Sequence, residues 1–296
     1  MNRMAKGYFY TILSAVIFGF SPMLSKVAYA NGMNSISLVF FRNLIAVPLL
    51  FCLMKTKRES APISKSDFKK IFLLALFCSC ITPLLLFSSY NYIGGGTATT
   101  FHFIYPAMTI IGGIVLFRQK AHLGQILCVV LCTFGITLFY TPGEELNLFG
   151  SAIALLSGVT YALYILLLDH LDLGEMSRFK LSMYICGISA VVLLVAAIAT
   201  DSFIVPANLL SWGICFLMAV LVGCCAGVFF QLGTQLIGGE RASILSTFEP
   251  ITSIVVGVLF YNEGFTLRSV LGTLCVLAAT ALIAVLDMKT APKAEN

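Results

Sequence analysis

The sequence predicts an all-α polytopic membrane protein of ten transmembrane helices, arranged as two inverted five-helix repeats. Three observations predict it. Charged residues are only 10% of the 296 and hydrophobic residues 59%, with a mean hydropathy of +0.98, whereas a soluble domain is about 25% charged. Such a chain cannot coat a water-facing surface, and lipid is the solvent its outer face tolerates. The apolar runs are continuous rather than alternating, which favours helices over barrel strands. The chain also repeats itself at a spacing of 144 residues.

The apolar runs place helices over 8–27, 36–54, 68–90, 97–117, 123–140, 149–168, 180–200, 211–235, 242–260 and 268–287. The first follows Arg3 and Lys6 as a signal peptide would, but it is long and lacks a small-residue cleavage site. It therefore reads as a retained helix. Connections are short, so the helices form one bundle. With the N-terminus inside, the inner segments hold 15 of the 18 Lys and Arg residues, leaving Lys26, Arg42 and Arg268 at or near the outer side. That asymmetry predicts a cell (cytoplasmic) membrane protein with both termini cytoplasmic. The net charge of +5 is a topology signal, and no basic, aromatic-interleaved patch suggests nucleic acid as a partner.

Aligning Pro106 with Pro250 pairs Ile93-Gly94-Gly95 with Ile237-Gly238-Gly239, Ala98 with Ala242, Ile110 with Ile254, Gly113 with Gly257 and Leu123 with Leu267. Pro83 falls opposite Gly227, so each third helix carries a breaker at the same place. Upstream, Ser14, Phe18 and Ser21 fall opposite Ser157, Tyr161 and Tyr164. The small-residue stripes Thr11, Ala15, Gly19 and Ala154, Gly158, Ala162 also correspond, and such stripes let helix backbones approach closely. The repeats are expected at 1–143 and 144–296. An odd number of helices per repeat makes the second copy enter from the opposite side. Inverted repeats of this kind are characteristic of secondary transporters, with the substrate at the repeat interface.

At these residues the chain resembles the drug/metabolite transporter superfamily, EamA type. The second copy reads Ala242-Ser243-Ile244-Leu245-Ser246-Thr247-Phe248-Glu249-Pro250, then Gly257 and Glu263. The first reads Ala98-Thr99-Thr100-Phe101-His102-Phe103-Ile104-Tyr105-Pro106, then Gly113 and Gln119, where the family pattern has glutamate. The resemblance covers nearly the whole chain. It implies two EamA repeats and transport of small metabolites such as amino acids, nucleotide-related compounds, amines or drugs. Movement in the family is mostly outward and often driven by protons.

The residues themselves suggest where a site would lie. One face of each fourth helix reads Ala98, His102, Tyr105, Thr109, Gly113 and Ala242, Ser246, Glu249, Ser253, Gly257. This small or polar stripe should face a protein interior or a wet cavity. Glu249 lies roughly 10 Å along its span. A carboxylate there is costly unless paired or protonated, so it is the candidate for proton coupling or for a cationic group, against a static contact that locks the repeats. His102 sits one turn earlier in the first copy and could bind substrate, or donate to a carbonyl as a core histidine. Arg42, inside helix 2, is expected to snorkel to the outer interface. Its other reading is to hold a carboxylate, on a substrate or on an acidic side chain. Gln231 and Gln235 lie one turn apart on helix 8, Asn91 matches Gln235, and Tyr161 and Tyr164 share a face with Ser157. These could wall a cavity or simply bond helix to helix. Glu263 reads as a structural residue that could pair with Arg268.

Ten cysteines lie almost wholly within apolar runs, Cys78, Cys80, Cys224 and Cys225 among them, without metal spacing. They read as packing residues, and neither metal nor cofactor is expected. No P-loop, HExxH or GxSxG is present, which argues against an enzyme and against self-contained ATP-driven pumping. The expected partners are a small-molecule substrate, the lipid bilayer and, as one candidate coupling ion, protons, with the protein a monomer or homodimer. The leading function is export of amino acids or related amphipathic metabolites. The alternatives are import of a small cationic or sugar-like nutrient, and, in another class, a membrane-embedded enzyme.

Overall fold

The structure is a computed structural model that describes residues 3–93, 95–118, 123–138, 147–173 and 176–261, and a discontinuous set between 267 and 282. All regular structure among the described residues is helical. The first half contains α1 (Arg3–Phe18), α2 (Ser21–Ala30), α3 (Ser35–Thr56), α4 (Lys65–Ala75), α5 (Thr82–Ser89), α6 (Gly95–His102), α7 (Tyr105–Phe117) and α8 (Leu123–Thr137). The second contains α9 (Leu148–His170), α10 (Arg178–Ala199), α11 (Leu209–Met218), α12 (Gly227–Ile237), α13 (Gly239–Leu245) and α14 (Phe248–Tyr261). The described residues between 267 and 282 are helical as well.

Six continuous or nearly continuous helical stretches are long and apolar enough to cross a bilayer: Arg3–Ala30, Ser35–Thr56, Lys65–Ser89, Leu148–His170, Arg178–Ala199 and Leu209–Ile237. Five of the six starts are capped by side chains. Asn34, Ser64, Asn147, Ser177 and Asn208 each accept a bond from the backbone N–H three residues on, satisfying donors that a helix start leaves orphaned.

Three of the predicted spans come in two pieces, two of them at Pro106 and Pro250, the prolines expected as helix-break residues. The first breaks at Gly19-Phe20, ahead of Pro22. The fourth helix of each half also comes in two pieces, α6 then α7 and α13 then α14. Proline is the physical reason. Pro106 is the second residue of α7 and Pro250 the third of α14. Its ring disfavours helical geometry just upstream, and it has no N–H to close the preceding turn.

The third helix of each half widens instead of breaking. Residues Leu76–Ile81, between α4 and α5, and Ala219–Ala226, between α11 and α12, are π-helical. In the first copy Pro83 cannot donate to the Ser79 carbonyl one turn back, and that carbonyl accepts from Asn43 Nδ2 at 3.5 Å. In the second copy Gly223 and Gly227 weaken the helix at the same register. There the Ala226 carbonyl accepts from Ser14 Oγ at 2.8 Å. π-Segments are rare and occur often at functional sites.

Helices α3 and α10, the second of each half, pack against each other over their length, and their ends fix the direction. At one end Asn34 Nδ2 donates to Ser202 O at 2.6 Å, and Ile204 N donates to Ser37 Oγ at 2.9 Å. At the other, Tyr184 Oη donates to Ala61 O at 2.6 Å, and Lys180 Nζ donates to Pro62 O at 3.0 Å. The start of α3 therefore meets the end of α10, and the pair is antiparallel. The first helix of each half packs on the third and fourth helices of the other. Thus α1 lies on α12, α13 and α14, and α9 lies on α5, α6 and α7. Glycine permits the closest approaches. A Cβ on Gly233 would fall 2.1 Å from Thr11 Oγ1, and one on Gly158 would fall 2.4 Å from the His102 carbonyl oxygen.

Candidate functional site

Between the two halves lies a cavity of about 110 Å³. Phe18 and Ser21 open one wall; Arg42 and Asn43 come from α3; Cys78, Ser79, Thr82 and Pro83 come from the first π-segment and α5. The second half contributes Tyr161 and Tyr164 of α9, Ser182 and Cys186 of α10, and Val222, Gly223, Gly227, Phe230 and Gln231 around the second π-segment. His102, at the end of α6, and Glu249, at the start of α14, reach it from the two broken fourth helices. Both stretches of loosened helix and both breaks thus converge on one space.

Glu249 is partly buried, and among the described residues no donor reaches its carboxylate. Its helix is held close to α1. Ser253 Oγ donates to Gly19 O at 2.9 Å, and a Cβ on Gly19 would meet the Glu249 carbonyl oxygen at 2.8 Å.

His102 is 4% exposed, and its Nδ1 lies 2.8 Å from Ser157 Oγ. The same hydroxyl sits 2.6 Å from Ala154 O. Its single proton serves that carbonyl, so Oγ accepts from the histidine, and neutral His102 carries its proton on Nδ1. Nε2 is then left as an acceptor. The expected histidine-to-carbonyl bond is replaced by one to a hydroxyl. Around the imidazole stand Tyr105 and Tyr161, with ring centres at 5.4 and 5.5 Å. Tyr161 continues the aromatic wall to Tyr164 at 5.7 Å and Phe230 at 5.9 Å.

Arg42 overturns its expected snorkelling. It is 5% exposed, lines the cavity, and its Nε has no hydrogen-bond partner among the described residues. Helix α10 packs along α3 and brings Cys186 beside the guanidinium, which the sequence of α3 alone could not reveal.

The structure brings together Glu249, His102, Arg42, Tyr161, Tyr164 and Gln231, with the breakers Pro83 and Gly227 in the wall. It leaves others out. Tyr105 is fully buried, packed edge-on to Tyr161 at 4.8 Å, and does not face the cavity. Ser246 Oγ is turned back onto its own helix, donating to Ala242 O at 2.9 Å. Asn91 is exposed in the turn after α5. Gln235 is exposed and accepts from Arg178 Nε at 3.1 Å. It belongs to a separate polar vestibule of about 320 Å³ with Asp169, Asp172, Arg178 and Thr234, which Gln231 joins to the central cavity. Pro106, Pro250 and Gly113 are buried helix-break and packing residues. The surroundings of Gly257, and the whole of Gln119 and Glu263, lie outside what the structure describes.

Sequence reading missed Asn43, Ser79, Thr82 and Ser182. Ser79 Oγ donates to Asn43 Oδ1 at 3.0 Å, and the Thr82 and Thr160 hydroxyls lie 2.8 Å apart. A signal existed: Asn43 adjoins Arg42 inside the second predicted helix, and Ser79 and Thr82 flank the turn before Pro83. Among the described residues no cluster could hold a metal ion.

The sequence pattern of the EamA-like transporter family matches residues 5–141 and again residues 148–285. The uncharacterized transporter YcbK of Bacillus subtilis (strain 168) is 25% identical over 283 residues, spanning 92% of this chain and 90% of its own. The uncharacterized inner membrane transporter YicL of Salmonella typhimurium is 26% identical over 296 residues, spanning 96% of both chains. The WAT1-related protein At3g56620 of Arabidopsis thaliana is 23% identical, spanning 92% of this chain and 80% of its own. A solved crystal structure superposes with a TM-score of 0.81 over 97% of this chain and 99% of its own, at 11% identity, a likeness of fold.

Proposed function

Because the chain belongs to the EamA-like transporter family, we propose that it is a secondary transporter carrying small amphipathic organic metabolites, such as amino acids, across the cytoplasmic membrane. The central cavity is its substrate site, and alternating access of two inverted repeats is its mechanism. The observation that carries this reading is the cavity itself, which draws a carboxylate, an imidazole, a guanidinium and an aromatic wall from both halves into one space.

Several features support the inverted arrangement. The π-segments and the fourth-helix breaks recur at the repeat spacing. The second helices of the two halves run antiparallel, and each first helix clasps the other half. Two equivalent halves can exchange poses, which turns an inward-facing cavity into an outward-facing one. With both termini cytoplasmic, the vestibule at the end of α9 and the start of α10 is the cytoplasmic mouth. The gap between Glu249 and that mouth is bridged by Gln231.

In this mechanism Glu249 is the coupling group. Its carboxylate has no donor among the described residues, so it exchanges between a proton and a substrate group as the cavity opens to each side. Outward movement is carried over from the family resemblance. The test is Glu249→Gln in proteoliposomes with an imposed proton gradient. The expected result is loss of gradient-driven accumulation by about ten-fold or more, the weight of one charge-assisted contact. Unchanged transport with an unchanged pH profile would sink the assignment.

A further inference from the structure

Arg42 is a full positive charge without a counter-charge. It stands on α3, is 5% exposed and lines the central cavity. No described side chain or carbonyl accepts from its Nε, and no acid is among its electrostatic neighbours. Its electrostatic neighbours are the thiols of Cys186, Cys78 and Cys80 and the Tyr29 hydroxyl. None of these is an anion in its ordinary form near neutral pH. Glu249 lines the same cavity but is not one of these neighbours. A buried guanidinium left in this state is expensive unless something neutralises it.

Ser182 is a second, independent observation. Its hydroxyl, 3% exposed, also lines the cavity and has no partner among the described residues. It lies one turn before Cys186 on the helix packed against α3. The cavity therefore presents an unpaired cation and an unpaired hydroxyl from the two second helices. A carboxylate fits the cation, since a guanidinium fork binds both of its oxygens, and the hydroxyl is a donor for another polar group of the same ligand.

We infer that Arg42 is the specificity-determining anchor for the carboxylate of an organic substrate, zwitterionic or singly anionic. This rests on the central cavity being the transport site. The aromatic wall of Tyr161, Tyr164 and Phe230 takes the apolar body. Inorganic phosphate brings no such body and adds negative charge beside Glu249. A purely cationic amine would sit against an uncompensated guanidinium, so the cationic-nutrient alternative is disfavoured.

The experiment uses the full chain with four probes: L-phenylalanine, 3-phenylpropionate, phenethylamine and inorganic phosphate. Binding is read as thermal stabilisation in detergent through the single tryptophan, Trp212. Movement is read as uptake of each labelled probe into proteoliposomes. L-Phenylalanine and 3-phenylpropionate are expected to stabilise the wild type, and phenethylamine and phosphate are not. Arg42→Met should weaken carboxylate binding about 10- to 100-fold. Without ligand it should melt at or above the wild type, because a buried unpaired charge has been removed. Arg42→Lys should keep the preference for carboxylates with weakened affinity.

Equal stabilisation by phenethylamine or phosphate, carboxylate binding that survives Arg42→Met, or binding of no carboxylate by the wild type would overturn the anchor. The wild-type comparison needs no variant, so misfolding cannot shield the proposal. Uptake of phenethylamine alone defeats the anchor and leaves the transport reading standing. Carboxylate binding without uptake of any probe does the reverse.

Discussion

Replacing Gly158 by alanine probes how closely α9 must approach α6. The added Cβ would sit 2.4 Å from the His102 carbonyl oxygen, 2.8 Å from Ile104 Cγ2 and 3.2 Å from the His102 carbonyl carbon. Two of these three are backbone atoms, which cannot rotate away, so the helices must separate by about 1 Å to restore ordinary contact. Overpacking of this kind costs about 1–3 kcal/mol. The same shift pulls Ser157, the residue before Gly158, away from His102 Nδ1, which now lies at 2.8 Å. Losing that bond adds about 0.5–1.5 kcal/mol. The assay is the melting midpoint of the purified protein alongside proteoliposome transport. A fall of several degrees and a clear loss of transport are expected. Gly213→Ala is the control: Gly213 is exposed on α11 and nothing lies within 4 Å of an added Cβ, so it should melt as the wild type or slightly higher. If Gly158→Ala behaves like Gly213→Ala, the close approach does not constrain the site and the packing argument fails.

Three further outcomes are expected. Reporter fusions after Tyr92 and after Gly238, each at the end of a third helix, should report opposite sides of the membrane, the first outside; the same side for both would refute inverted repeats. Ser157→Ala should leave His102 Nδ1–H without its 2.8 Å acceptor. It should destabilise by about 1–3 kcal/mol and alter transport, and a melting curve like the wild type's would contradict the tautomer assigned to His102. Asn43→Leu should break the reciprocal bonds to Ser79 at 3.0 and 3.5 Å and lower the midpoint by a comparable amount, whereas the exposed Asn91→Leu should change it little.

Much of the site could be read in the sequence because a membrane makes polarity conspicuous. Glu249, His102 and Gln231 stand out in apolar helices, and each lines the cavity. Ser246 and Tyr105 share their stripe, yet a stripe only says which face is buried. Within it, Ser246 bonds its own backbone and Tyr105 packs on Tyr161. Asn91 stands out only by its match to Gln235, and Gln235 by its spacing from Gln231, and both lie exposed at helix ends, where polarity costs nothing.

Length and hydrophobicity of the runs, the internal repeat and the family were determined by the sequence alone, since lipid solvation depends on composition over a window of about 20 residues. Pro83, Pro106 and Pro250 already marked where helices would yield, whereas Pro48 sits within the unbroken α3. Only the tertiary structure decided that Arg42 faces inward. A lone arginine near a helix end snorkels when lipid covers it, and stays buried when another helix does. Here α10 lies along α3 in the opposite direction, a pairing between residues more than a hundred positions apart that no local pattern encodes.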